Sequence, residues 1–181
     1  MKILFVSLGC DKNLVDSEHM LAMLRREGFE LTDDEAEADA IVVNTCCFIH
    51  DAMEESIQTL IDLGRYKEEG SLKALIAVGC LAQRYAQEIR QEIPEVDAIV
   101  GTNAYDEIAA VLRSTLKGER PTVIRPLTGL CDDNAGRVLT TGGHYAYLKI
   151  AEGCDKRCTY CVIPQIRGDY RSVPMEQLVA E

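Results

Sequence analysis

Short apolar runs rich in β-branched residues alternate with longer stretches of helical periodicity, and this alternation constrains the fold of the 181-residue chain most strongly. The runs that we predict to be buried strands are residues 2–7, 40–44, 74–78 and 98–101. The helical patterns that follow them lie at about residues 16–27, 51–69, 81–92 and 105–116. Strands that alternate with helices form a parallel sheet with crossover helices. The sequence therefore predicts a doubly wound α/β domain over residues 1–118.

The pattern changes after residue 118. Residues 119–143 are rich in Gly, Pro and Asp, including Asp132 and Asp133, and contain one short candidate strand at 122–125. Such a composition is typical of a linker. A new strand is predicted over residues 145–150, followed by a cysteine-rich loop and by a helix that starts at Pro174. We expect residues 144–181 to be the start of a second domain.

Charge and hydropathy restrict the partners and the compartment. The chain has 30 acidic and 19 basic side chains, a net charge of -11, so it should repel a phosphate backbone and not bind nucleic acid directly. The apolar run after Met1 is too short for a signal peptide, and no run approaches the ~20 residues that span a bilayer. We expect a cytoplasmic protein without a membrane partner, whose eight cysteines are reduced or bind metal.

A compact cysteine motif, CxxxCxxC, is formed by Cys154, Cys158 and Cys161. Three thiolates in one tight loop can bind three irons of a four-iron, four-sulfide (4Fe-4S) cluster and leave the fourth iron without a protein ligand. The alternative is structural zinc, but such sites use four ligands at paired spacings, and no second pair follows here.

Three further cysteines are dispersed along the first domain. Cys10, Cys46 and Cys80 each come within about three residues of the end of a predicted strand. Because the carboxyl ends of parallel strands lie along one edge of a sheet, these thiols can converge on a second metal site. The alternative is that each is a small buried hydrophobic residue. Cys47 should point away from its neighbour Cys46, Cys131 is predicted to be a surface thiol, and the three histidines have no metal-binding spacing.

Both cysteine sets occur in segments that resemble the radical S-adenosylmethionine methylthiotransferases. Tyr160 precedes the last cysteine of the compact motif, as in the radical S-adenosylmethionine enzymes, and residues 7–18 and 153–171 are similar to the methylthiotransferase pattern. The RimO type is favoured because Asp11-Lys12-Asn13 stands where the transfer RNA enzymes have Gln-Met-Asn. Residues 79–85 and 144–149 are also similar to that type.

The resemblance implies the cofactors and the reaction. Cys10, Cys46 and Cys80 would hold an auxiliary 4Fe-4S cluster that carries sulfur, and Cys154, Cys158 and Cys161 would hold the cluster that cleaves S-adenosylmethionine. The implied product is a methylthio group on the β-carbon of an aspartate in ribosomal small-subunit protein S-twelve, with a reductant protein as electron source. The alternatives are a transfer RNA adenosine methylthiotransferase and a non-catalytic metal-binding module.

Some motif residues have two interpretations. Asp16, Ser17 and Glu18 could cap a helix or line the cluster. Arg167 and Arg171 could orient a carboxylate of the cofactor or substrate, or pair with acids across the domain junction.

The chain also departs from the family pattern. Cys47 and Val173 stand where family members commonly have Gly and Arg. The chain reaches Glu181 with only the first strand and cluster loop of the family's partial βα barrel, so we expect a fragment that is inactive alone.

Overall fold

The centre of the molecule is a parallel sheet, described by a computed structural model that covers residues 1–131 and 136–181. Its strands are β1 (Lys2–Ser7), β2 (Glu30–Thr32), β3 (Ala40–Thr45), β4 (Ala74–Gly79), β5 (Ala98–Val100) and β6 (Thr122–Val123). They lie in the order β2-β1-β3-β4-β5-β6, and each pairing between neighbours is parallel. The predicted doubly wound α/β fold is confirmed. The sequence patterns miss only the edge strand β2, which is three residues long and partly exposed.

The strand order reverses between β1 and β3. The chain runs from β1 outward to β2, returns past β1 to β3, and then adds its later strands on the other side. In a doubly wound sheet, the loops that follow the two strands at such a reversal leave a crevice that binds ligands. Here that crevice lies beyond Ser7 and Thr45, the last residues of β1 and β3.

Helices cover both faces of the sheet. They are α1 (Asp11–Arg26), α2 (His50–Gly64), α3 (Tyr66–Glu69), α4 (Cys80–Arg84), α5 (Ala86–Glu92) and α6 (Ile108–Thr115). One face packs against α1 and α6, which bury Leu24 and Leu112. The other packs against α2 and α4, which bury Leu60 and Leu81. Each such side chain contributes about 1.5–3 kcal/mol by leaving water.

The boundaries of all four predicted helices differ from the observed ones. The helix predicted over residues 51–69 is divided into α2 and α3, and the one predicted over 105–116 begins with a 3-10 turn at Tyr105–Glu107 before α6. α1 begins at Asp11 instead of Asp16, because the backbone of Cys10 is extended and Asp11 places a favourable negative charge in the first turn. The helix predicted over residues 81–92 is divided into α4 and α5 at Tyr85, whose backbone is not helical (φ -123°, ψ 34°). Cys80 is therefore the first residue of the short helix α4. Within the described residues, no helix has the length and apolar character needed to cross a bilayer.

Residues 145–150 do not form the strand that the sequence predicts. The observed strands of this region are β7 (Ala151–Glu152) and β8 (Arg171–Ser172), which pair antiparallel, and its helices are α7 (Ile163–Arg167) and α8 (Met175–Ala180). The physical reason is that, among the described residues, pairing of this segment with the β8 side is limited to the bond from Val173 N to Ile150 O (2.9 Å), and side chains such as Ile150 remain 60% exposed.

The segment predicted to be a linker is attached to the first domain at several places. Its candidate strand forms β6 at the edge of the sheet. Farther along, the carboxylate of Glu18 in α1 accepts hydrogen bonds from Thr140 N (2.6 Å) and Arg137 Nε (2.7 Å). Asp132 and Asp133 lie outside the described residues. These bonds fix the chain that leads to residues 144–181. The carboxylate of Glu18 is thus used for this attachment, and not to cap α1 or to line the cysteine site.

The Glu18 attachment predicts a pH-dependent contribution to stability. Burial alone would raise the pKa of Glu18, but the hydrogen bonds from Thr140 and Arg137 lower it below the ordinary value of 4.5. The stabilisation is thus present above about pH 4.5 and disappears as the pH falls through the folded-state pKa. We expect Glu18→Gln to lower the free energy of unfolding by about 1–3 kcal/mol at pH 7 and by much less at pH 3. Urea unfolding at pH 7 and at pH 3 measures the difference in the free energy of unfolding.

The control is Glu54→Gln, at an exposed position of α2. An equal effect of Glu18→Gln at pH 7 and at pH 3 would contradict the role assigned to the Glu18 carboxylate.

Candidate metal centre

The three dispersed cysteines lie at one edge of the sheet, as predicted. Cys10 follows β1 and immediately precedes α1, Cys46 directly follows β3, and Cys80 directly follows β4. The first two therefore flank the crevice where the strand order reverses, and the third belongs to the neighbouring strand. Cys10 is exposed, whereas Cys46 and Cys80 are buried.

Gly9 brings the first loop against the second. Its φ is +90°, and a Cβ built on it would lie 2.6 Å from Cys46 Cβ and 2.8 Å from Cys46 Sγ. Both the backbone conformation and the space therefore require glycine. The loop that carries Cys10 lies directly over the Cys46 thiol, and a donor set of thiolates is the set that iron-sulfur clusters use. The type of donor therefore fits an iron-sulfur group, whereas the described thiols are not gathered closely enough in this structure to hold a metal ion.

Asn13, in the first turn of α1, connects the three cysteine loops. Its amide nitrogen donates to Leu8 O (2.9 Å) and Thr45 O (3.0 Å), the carbonyls that precede Cys10 and Cys46. Its side-chain oxygen accepts a hydrogen bond from Cys80 Sγ at 3.6 Å. Because Asn13 is completely buried, these bonds are protected from water and fix the relative positions of the loops.

Burial dominates the protonation of the inner thiols. It raises the pKa of Cys80 to about 11, although the Arg167 guanidinium opposes the shift. It raises the pKa of Cys47 to about 12. The start of a helix at Cys80 favours the thiolate form, but the loss of solvation outweighs that effect. A metal must therefore displace a tightly held proton at Cys80.

The compact cysteine motif occupies the loop between β7 and α7. Cys154 N donates to Gly168 O (3.0 Å), which closes the base of the loop, and Cys161 N donates to Cys158 O (3.0 Å) in a turn before α7. Gly153 has φ +73° and packs against the backbone of Asp169, so a larger residue would not fit there. Cys158 is exposed, and Cys154 and Cys161 are partly exposed.

The helix α7 docks this loop onto the sheet edge that carries the dispersed cysteines. Ile166 is 1% exposed and belongs to the same core cluster as Cys80 and Leu81. Thr102, just after β5, donates its hydroxyl to Ile166 O at 2.8 Å. The helix that follows the compact loop thus contacts α4, whose first residue is Cys80.

A buried charge network lies at this junction, and its extent was not apparent from the sequence. Arg167 donates to Asp16 Oδ2 (2.6 Å), Glu152 Oε2 (3.1 Å) and Asn13 Oδ1 (2.5 Å). Lys149 pairs with the same two carboxylates. Burial would raise the pKa of Asp16, but Lys149 and Arg167 lower it, so the carboxylate is charged. Of the two interpretations of Arg167, pairing across the junction is the observed one.

The remaining candidate residues lie apart from these thiols. Cys131 is partly buried beside Thr102 and is not the freely exposed thiol that we predicted. His19 contacts the carbonyl of Gly136, and His144 contacts that of Gly142. All eight cysteines are free thiols. Within residues 1–131 and 136–181, no three His, Cys, Asp or Glu side chains are close enough together to hold a metal ion.

Comparisons with known proteins give a consistent set of relatives. Residues 2–101 match the family described as "Uncharacterized protein family UPF0004". "Ribosomal protein uS12 methylthiotransferase RimO" of Lachnoclostridium phytofermentans is 64% identical over 181 residues, which are 100% of this chain and 41% of that protein. The proteins of the same name from Desulforamulus reducens and Clostridioides difficile are 52% and 46% identical over 97% and 100% of this chain, and over 40% and 41% of their own lengths. The chain spans about two fifths of the length of the curated relatives it matches.

Proposed function

The chain belongs to protein family UPF0004, and from this premise we propose that it forms the sulfur-carrying part of a RimO-type methylthiotransferase. The resemblance to that type is confirmed by the relatives over the whole chain. The proposed reaction is the transfer of a methylthio group to the β-carbon of an aspartate in ribosomal protein uS12, the substrate that the relatives' name specifies.

One observation carries the proposal. Cys10, Cys46 and Cys80 follow three adjacent parallel strands at the reversal of strand order, and Gly9 holds the first loop against the second thiol. Core packing alone does not require Gly9 to contact Cys46, nor does it require Cys10 to be exposed beside it. The proposed role of these cysteines is to bind an auxiliary 4Fe-4S cluster.

The compact loop is proposed to hold a second cluster. When bound, the two clusters and S-adenosylmethionine would supply a radical that opens an unactivated C–H bond and a sulfur atom that replaces the hydrogen. The proposal that the two cysteine sets act together is supported by α7 and the Arg167 network, which attach the segment after the compact loop to the edge that carries Cys80. We place the reaction in the cytoplasm, where eight free thiols remain reduced and a reductant protein is at hand.

The acidic surface supports a protein substrate. At a net charge of -11 the chain attracts a basic ribosomal protein and repels transfer RNA. Asp11 and Lys12 support the same choice, because they stand where the transfer RNA enzymes have Gln and Met. Asn13, which both types have, connects the cysteine loops.

The test is an anaerobic assay of the full-length, cluster-reconstituted protein with S-adenosylmethionine and a reductant. Purified uS12 and adenosine-modified transfer RNA are offered in parallel, and mass spectrometry identifies the methylthiolated product. We expect modification of the uS12 aspartate alone. Modification of the transfer RNA alone would replace the proposed substrate, and protein that binds zinc and no iron would reduce the chain to a metal-binding module.

A further inference from the structure

An open cleft lies beside two of the three dispersed cysteines. Its lining includes Cys10 and Cys46 and also Phe48, Ile49, Asp51 and Glu55. The second group lies on the loop after β3 and on the first turns of α2. The cleft therefore continues from the proposed sulfur carrier onto a surface that no ligand role explains.

Part of the lining of the cleft is apolar and exposed. Phe48 is 51% exposed and Ile49 is 56% exposed, although the adjoining residues Cys46 and Cys47 are buried. Large side chains that are adjacent and uncovered at the mouth of a site are typical of a surface that binds another molecule. An aromatic and a branched aliphatic side chain fit the apolar portions of a polypeptide segment.

Another part of the lining is acidic. Asp51 and Glu55 are four residues apart on α2 and so lie on the same helix face. Both are exposed, and neither carboxylate forms a hydrogen bond or ion pair with any residue of the described ranges. Two unpaired carboxylates next to an apolar rim favour lysine or arginine side chains, whose stems are apolar and whose ends are cationic.

We propose that this cleft, which we call the α2 cleft, binds the basic segment of the ribosomal protein that flanks the modified aspartate. The inference rests on the proposed function, because the substrate carbon must approach the sulfur held at Cys10 and Cys46, and the chain on either side of it then lies along the cleft. Charge complementarity decides the occupant: the cleft attracts a basic polypeptide and repels RNA phosphates. The α2 cleft is thus a specificity surface and contributes no reacting group.

Charge reversal in the full-length, reconstituted protein tests the proposal. The variant carries Asp51→Lys and Glu55→Lys, and its matched control is Glu54→Lys, a 77% exposed position of the same helix outside the cleft. We expect the double variant to raise the KM for uS12 about tenfold and to leave kcat within about twofold, because attraction becomes repulsion while the reacting groups are untouched. Glu54→Lys should leave both values unchanged. Binding of fluorescently labelled uS12, measured by anisotropy, should weaken with added salt for the wild type and much less for the double variant.

The possible outcomes are distinct. If the wild type modifies uS12 and the double variant has an unchanged KM, the inference is overturned and the proposed function stands. The same conclusion follows if the double variant alters the oligomeric state instead, because the cleft would then bind a second copy of the chain. If the wild type modifies no uS12, the proposed function fails and the inference fails with it. Circular dichroism of both variants confirms that these exposed substitutions leave the fold intact.

Discussion

In the proposed methylthiotransferase, we expect Cys80→Ala to abolish methylthio transfer to uS12 and to leave cleavage of S-adenosylmethionine intact. Cys80 is the first residue of α4, 4% exposed, and bonded to Asn13, which also holds the loops of the other two dispersed cysteines. Its removal takes one of three thiolates from the proposed auxiliary site and leaves the compact loop unchanged. Product by mass spectrometry and deoxyadenosine by chromatography, from the same reaction, separate the two activities.

Cys47→Ala is the matched control for Cys80→Ala. Cys47 is a buried thiol of the same core cluster, so the substitution removes a similar volume from a similar place. We expect it to retain methylthio transfer. Transfer by Cys80→Ala at the wild-type rate, or its loss in both variants to the same degree, would show that Cys80 is a packing residue.

Arg167→Leu is expected to lower the free energy of unfolding by about 3–5 kcal/mol, because it leaves buried carboxylates without their main partner. Arg167 is 2% exposed, and Asp16 and Glu152, with which it pairs, are also buried. Lys149, together with Lys12 at 3.8 Å from Glu152, would then have to compensate both charges. The urea midpoint of the full-length protein measures the effect.

The control for Arg167→Leu is Arg157→Leu, which removes an arginine from the exposed pair with Asp169. Both side chains of that pair are more than half exposed, so its loss should cost less than about 0.5 kcal/mol. Equal shifts of the urea midpoint in the two variants would mean that the buried network does not stabilise the junction.

The sheet was predictable because the signal for its inner strands is strong. β3 and β4 are buried along their whole lengths, so their sequences are continuous apolar runs, as expected of parallel strands with helices on both faces. β2 has no such signal, since it is an edge strand of three residues. The prediction of a strand over residues 145–150 was wrong for a different reason. The apolar pattern is present there, but a pattern does not supply the neighbouring strand that pairing requires.

The positions of the dispersed cysteines followed from topology alone. Once Cys10, Cys46 and Cys80 are assigned to strand ends of a parallel sheet, their location at one edge is a consequence of the fold. The role of Asn13 could not be derived in this way, because its partners Thr45 and Arg167 are 32 and 154 residues away. The same holds for Asp16, whose bond to Arg167 joins residues 151 positions apart.

The most direct test of two separate clusters is the iron and acid-labile sulfide content of the full-length protein after anaerobic reconstitution. We expect about eight irons per chain in the wild type and about four in each of the variants Cys10→Ala and Cys154→Ala. These values would assign one four-iron cluster to the sheet edge and one to the compact loop. About four irons in the wild type, lost in Cys154→Ala and retained in Cys10→Ala, would contradict the account and leave the dispersed cysteines as core residues.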